Sequence, residues 1–141
     1  MAALVDTNVL VYRFDPRFPA KQRVATTLLS DGLKSGTVRI SHQAVAEFVS
    51  AVTKPQKGGA SLLTNADAWH EAEKLLVEYH ILYPTDAVLR TAIRGASVYQ
   101  LSWYDAHMWA YAECFGLGDL LSEDFQHGRI YGTVRTTNPF L

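Results

Sequence analysis

Four carboxylates, Asp6, Glu47, Asp105 and Asp124, stand apart from the other acids of this chain by their settings. Asp6 lies in Leu4-Val5-Asp6-Thr7-Asn8-Val9-Leu10, a charge with apolar residues on both sides. A buried carboxylate is costly unless it is paired, hydrogen-bonded or bound to a metal. Several carboxylates brought together repel, and some take up protons unless a cation neutralises them. An all-oxygen set suits hard cations, Mg²⁺ or Mn²⁺, and the chain lacks the Cys/His spacing of a zinc site. One or two such ions can activate water and stabilise charge on a phosphate, giving hydrolysis without a covalent nucleophile.

Each acid also has a plainer reading. Asp6 can be a turn residue accepting a local hydrogen bond. Asp105 follows Ser102 at the spacing of a capping box. Asp124 can be an ordinary loop acid. Glu47 falls opposite an apolar helical stripe, where solvated glutamates are normal. The chemical reading therefore depends on all four meeting at one place.

The elements that would bring them together are legible in outline. Ala2 to Val5 reads as a short buried strand ended by Asp6-Thr7-Asn8. A helix is expected from about Ala20 to Leu33, with Val24, Leu28, Leu29 and Leu33 on one stripe. Thr37 to Ile40 reads as a second strand, and Ser41 can cap the helix that follows. Val45, Phe48, Val49 and Val52 form that helix's apolar face, with Gln43, Glu47, Ser50 and Lys54 opposite. Lys54 to Ser61 is the most linker-like stretch. A helix from about Ala66 to Tyr79, a strand at Ile81–Tyr83 and a helix from Thr85 or Asp86 to about Tyr99 come next.

Ser102 opens another helix whose body, Ala106 to Phe115, is apolar on nearly every side and should be central; Cys114 within it reads as core. Leu120-Leu121 is a strand cut short by Ser122-Glu123-Asp124, and Ile130-Tyr131 and Val134 suggest edge strands. Strands alternating with helices imply an α/β domain with a mostly parallel sheet. Ligands bind such sheets at the carboxyl ends of strands, near a switch in strand order. Asp6 and Asp124 both follow strands.

With 141 residues the chain is expected to form one domain, 1–141. It carries 13 basic and 14 acidic side chains, so its net charge announces neither a nucleic-acid nor a membrane-surface binder. One cysteine excludes an internal disulfide. No apolar run approaches the roughly 20 residues that span a bilayer. These features, with no leader-like start, lead to the expectation of a soluble, cytoplasmic protein.

The chain resembles the PIN-domain ribonucleases, and most closely the VapC-type toxins of bacterial toxin–antitoxin pairs. Asp6-Thr7-Asn8-Val9-Leu10 is similar to the family's opening motif, with its metal-binding aspartate and supporting asparagine. Glu47-Phe48-Val49, with Val52 and Lys54, is similar to the segment carrying its glutamate. Leu101-Ser102-Trp103-Tyr104-Asp105-Ala106 and Leu121-Ser122-Glu123-Asp124-Phe125 resemble those carrying its third and fourth acids. The order Trp103-Tyr104 and the pair His107-Met108 depart from the commoner pattern.

The resemblance implies a PIN-like fold with an acidic site at the strand ends. It also implies Mg²⁺- or Mn²⁺-dependent endonucleolytic cleavage of RNA, such as tRNA or rRNA, a homodimer, and a cognate antitoxin. Asp6, Glu47, Asp105 and Asp124 would be catalytic metal ligands, with Asn8 and Ser122 orienting them. Arg13 and Lys54 are candidates for binding the RNA backbone, beside Arg17, Lys21, Arg23 and Lys57. His127 is the histidine to watch, because it follows Asp124 closely.

Rival readings remain open at this stage. An aspartyl phosphatase would want a second aspartate where Asn8 stands. A phosphoacceptor signalling domain would want a paired acid and a late lysine. A PIN-fold binding module without toxin activity would need no intact acid set.

Overall fold

The first strand, β1 (Ala3–Val5), is short because Asp6 ends it. The computed structural model describes residues 1–141. β1 pairs in parallel with β2 (Val38–Ser41) on one side and with β4 (Asp119–Leu121) on the other. β3 (His80–Leu82) extends the sheet beyond β2. β6 (Val134–Thr137) extends it beyond β4, and β5 (Ile130–Tyr131) closes that edge antiparallel. The order is β3-β2-β1-β4-β6-β5. Succession thus runs outward from β1 through β2 to β3, then returns to β4 on β1's other flank. The switch in strand order lies between β1 and β4, which is where a ligand crevice is expected.

Six helices connect the strands: α1 (Thr7–Tyr12), α2 (Pro19–Ser35), α3 (His42–Thr53), α4 (Asn65–Glu78), α5 (Asp86–Tyr99) and α6 (Trp103–Cys114). Side-chain caps start most of them. Ser41, Thr64, Thr85 and Ser102 accept from the backbone N–H groups of Ala44, Asp67, Val88 and Asp105, which satisfies orphan donors of each first turn. α6 is enclosed as expected: Ala106 and Met108 to Ala112 are buried, and the helix packs on β1, β4 and β6.

Four expectations need correction. Asp6-Thr7-Asn8 is no turn: Asp6 is the N-cap of α1, a helix the sequence pattern did not reveal. The buried stripe of α2 is Ala25, Leu29 and Gly32, while Val24 and Leu33 are exposed. Gly32 packs so tightly against Val38 that no Cβ fits, so the small residues face the sheet. Cys114 is exposed, because α6 ends there and its last turn leaves the sheet. β6 is interior, since the β5 hairpin covers it.

α5 and α6 pack against each other more extensively than any other pair of helices. Gly95 of α5 lies under the Trp109 ring, with no space for a side chain, and Trp109 Nε1 donates to Tyr131 O at 2.9 Å. Overpacking a filled contact typically costs about 1–3 kcal/mol. Gly95→Ala should therefore destabilise the protein by about that amount in urea unfolding, whereas Gly118→Ala, with nothing near its Cβ, should stay within about 0.5 kcal/mol of the parent.

Candidate functional site

Register brings the ends of β1 and β4 side by side. Val5 stands opposite Leu121, and Asp6 N donates to Leu121 O at 2.9 Å. The next residues of both strands turn into the same crevice. Asp6 Oδ1 accepts from Thr7 N at 2.7 Å, capping α1. Asp6 Oδ2 accepts from the buried Ser122 hydroxyl at 2.6 Å. Ser122 Oγ in turn accepts from Asp124 N at 3.0 Å, which fixes the loop that carries the fourth acid.

Asn8, on the first turn of α1, faces the same group. Its Nδ2 lies 3.1 Å from Asp124 Oδ2, 3.2 Å from Ser122 Oγ and 3.5 Å from Asp6 Oδ2. Its Oδ1 is buried without a hydrogen-bond partner. An orphaned buried carbonyl is uncommon; this one belongs to an amide whose nitrogen faces the acids.

α6 supplies the third acid. The backbone N–H of Asp105 bonds the Ser102 cap at 3.3 Å, leaving the carboxylate to join Asp6 and Asp124. Carboxylate oxygens of Asp6, Asp105 and Asp124 lie within 4.8 Å of one another. Asp6 is buried, Asp105 half-buried and Asp124 exposed.

The electrostatics follow from that crowding. Burial pushes the Asp6 carboxyl from 3.8 up to about 7, and Asp124 and Asp105 add repulsion; the Ser122 and Thr7 hydrogen bonds offset part of it. Burial also raises Asp105, with the charges of Asp124 and Glu47 adding and Ser102 opposing. A crowded all-oxygen set in which burial and neighbouring charge raise Asp6 and Asp105 fits a divalent cation, which would offset the shared charge.

Glu47 stands beside this group rather than in it. It is half-buried on α3, and Thr7 Oγ1 donates to its Oε2 at 3.3 Å. Gln43, one turn earlier, donates from Nε2 to Glu47 Oε1 at 2.5 Å and to Tyr104 O at 3.1 Å. The helical face that looked solvated therefore faces the crevice wall. Neither Thr7 nor Gln43 was singled out from sequence. The i,i+4 spacing of Gln43 and Glu47 was the available signal.

The basic residues are mostly engaged elsewhere. Arg13 lies over the Phe14 ring and 3.9 Å from Glu71, with 21% of its side chain exposed. Arg17 grips the buried Asp15 through two hydrogen bonds. Lys21 pairs with Glu123 at 2.9 Å, and Tyr12 hydroxyl donates to the same carboxylate at 2.6 Å. Lys54, exposed at the end of α3, makes none of the chain's ion pairs. His127 Nδ1 accepts from Asn138 N at 3.0 Å, so it holds the C-terminal segment.

The family model of the PIN domain matches residues 3–132. No curated protein sequence matches the chain. Among solved structures, a toxin–antitoxin complex from Klebsiella pneumoniae is similar, with TM-score 0.68, 19% identity and coverage of 98% of both chains. VapBC2 from Rickettsia felis, bound to a promoter DNA fragment, superposes with TM-score 0.70, 15% identity and 98% of both chains. VapC20 from Mycobacterium tuberculosis, a toxin that cleaves the sarcin–ricin loop, gives 0.62 and 14% over 84% of this chain and 87% of that one. No helix is long and apolar enough to cross a membrane.

A carboxyl raised from 3.8 to about 7 holds its proton in the folded state across that interval and loses it when unfolded. Its contribution to stability is complete below the lower value and disappears as pH rises through the upper one. In the absence of divalent ions, the melting temperature should fall by several degrees between about pH 5 and about pH 8. Asp6→Asn should lack this component. Identical pH profiles for the two proteins would contradict the assignment.

Proposed function

The chain belongs to the PIN domain family, and on that premise we propose that it is a metal-dependent endoribonuclease acting as the toxin of a toxin–antitoxin pair. It hydrolyses RNA phosphodiester bonds, with tRNA or rRNA as the substrate class. The observation that carries this reading is the convergence of Asp6, Asp105 and Asp124 at the switch point, their oxygens within 4.8 Å. The toxin–antitoxin character of the similar structures supports the biological part.

Asp6, Asp105 and Asp124 would hold Mg²⁺, or Mn²⁺ in its place, with Glu47 completing the set from α3. When bound, such a cation lowers the pKa of water and offsets the charge that develops on a phosphate. The chain's own residues set the geometry. Ser122 fixes the Asp6 carboxylate and the start of the Asp124 loop together. Asn8 orients Asp124. Pinned ligands of this kind lose little freedom when the site is filled. Asn8 also occupies the position where an aspartyl phosphatase needs its second acid, so this crevice suits hydrolysis by water rather than transfer to a side chain.

Of the two bases nominated for the RNA backbone, Lys54 is free to contact phosphate. Arg13 would have to leave Glu71 and Phe14 to do so. Partners on this reading are the RNA, a second copy of the chain and a small cognate antitoxin protein that covers the acidic crevice.

Purified protein should cut total cellular RNA in Mg²⁺ and stop in EDTA. Asp6→Asn and Asp105→Asn should each lower the rate by at least about 10³-fold, the scale lost when a principal charge-stabilising group is removed. Their circular dichroism should remain that of the parent. Expression of the parent, but not of Asp6→Asn, should arrest growth unless the antitoxin is co-expressed. Cleavage that survives EDTA would sink the metal mechanism.

A further inference from the structure

Glu47 reaches the acidic crevice from a helix whose apolar face points elsewhere. An unrestrained glutamate there would sample several rotamers and favour open water. Two contacts prevent this, and both lead to the neighbours of other acids. Thr7, which holds Oε2, is the residue directly after Asp6. Gln43, which holds Oε1, is itself anchored to the carbonyl of Tyr104, the residue directly before Asp105. A primary amide has two N–H donors, and these two bonds use both.

We propose that Gln43 is a positioning residue that clamps Glu47 to the first turn of α6, so that the fourth acid is presented to the same divalent cation site as Asp6, Asp105 and Asp124. The inference rests on the reading of those acids as a cation site. A neutral donor suits the task. A lysine or arginine at residue 43 would hold Glu47 equally firmly but neutralise the charge the cation needs. The amide orients the carboxylate and leaves its negative charge in place. It also joins α3 to α6 directly at the crevice, so one side chain links the Glu47 carboxylate to the turn that carries Asp105. The contacts are partly exposed, so little folding energy depends on them.

Mn²⁺ binding by calorimetry tests this on the purified full chain. Gln43→Met keeps the length and helical preference of the side chain but donates nothing. It should weaken Mn²⁺ binding by about tenfold, the lower end of the range for residues that orient metal ligands. The metal-free melting temperature should match the parent. Gln43→Ala serves as a second variant with the same expectation. In the double variant Gln43→Met/Glu47→Gln, affinity should equal that of Glu47→Gln alone, because an absent carboxylate cannot be mispositioned.

Unchanged Mn²⁺ affinity in Gln43→Met, or losses that simply add in the double variant, would overturn the inference. So would a fall in metal-free stability that accounts for the affinity change. Affinity retained in Glu47→Gln while Asp6→Asn loses it would also overturn the inference and leave the cation site standing. If Asp6→Asn too binds Mn²⁺ as the parent does, the reading of the acids as a cation site fails.

Discussion

The structure depends on one costly placement: a carboxylate buried at the end of a central strand. Asp6 is enclosed by β1, β4 and α1, and its two oxygens have different tasks. One caps α1, which turns the chain sharply away from the sheet. The other accepts from Ser122, which lies at the far end of the sequence and beside Asp6 in space. Local chain direction and long-range strand pairing are tied to the same carboxyl group. Burial raises its proton affinity, and the acids brought near it raise it further. A bound cation would relieve that crowded charge, and a proton on Asp6 is the alternative the fold leaves open.

The sheet topology makes that placement possible. β4 returns to the opposite flank of β1, so the carboxyl ends of two sequence-distant strands open into one crevice. α6 contributes Asp105 through its first turn while the rest of the helix is enclosed against β1, β4 and β6. The apolar body of α6 thus anchors a single polar tip. Gly95 beneath Trp109 allows α5 to hold that helix closely from behind. Packing distant from the acids therefore determines where one of them stands.

Much of this was legible in the chain. Apolar runs broken by Asp6 and by Ser122-Glu123-Asp124 located both strand ends, and the capping serines and threonines located the helix starts. The all-round apolar pattern identified α6 as enclosed. What escaped notice has physical reasons. α1 is only six residues long, too short for a helical period to show. On α2 the sheet selects the small residues Ala25 and Gly32, so hydrophobicity pointed to the wrong stripe. Glu47 looked solvated because helical spacing shows only its own helix, whereas Thr7 and Tyr104 approach from two others. The basic residues of the first segments looked available for phosphate, but Asp15, Glu71 and Glu123 claim three of them. Pairings of that kind arise from tertiary proximity and leave no mark in composition.

The distance along the chain between the acids has a consequence for biosynthesis. A ribosome that has released β1, α1 and α3 has released Asp6, Thr7, Gln43 and Glu47, yet not Ser122, the long-range partner of the buried carboxylate. Ser122 follows Asp6 by 116 residues, and Asn8's acceptor on Asp124 and the strand that aligns them emerge with it. A growing chain therefore carries an incomplete crevice beside the very RNA machinery that makes it. α6 and β4, which bring in Asp105, Ser122 and Asp124, emerge long after β1, so the order of synthesis itself delays the appearance of the site.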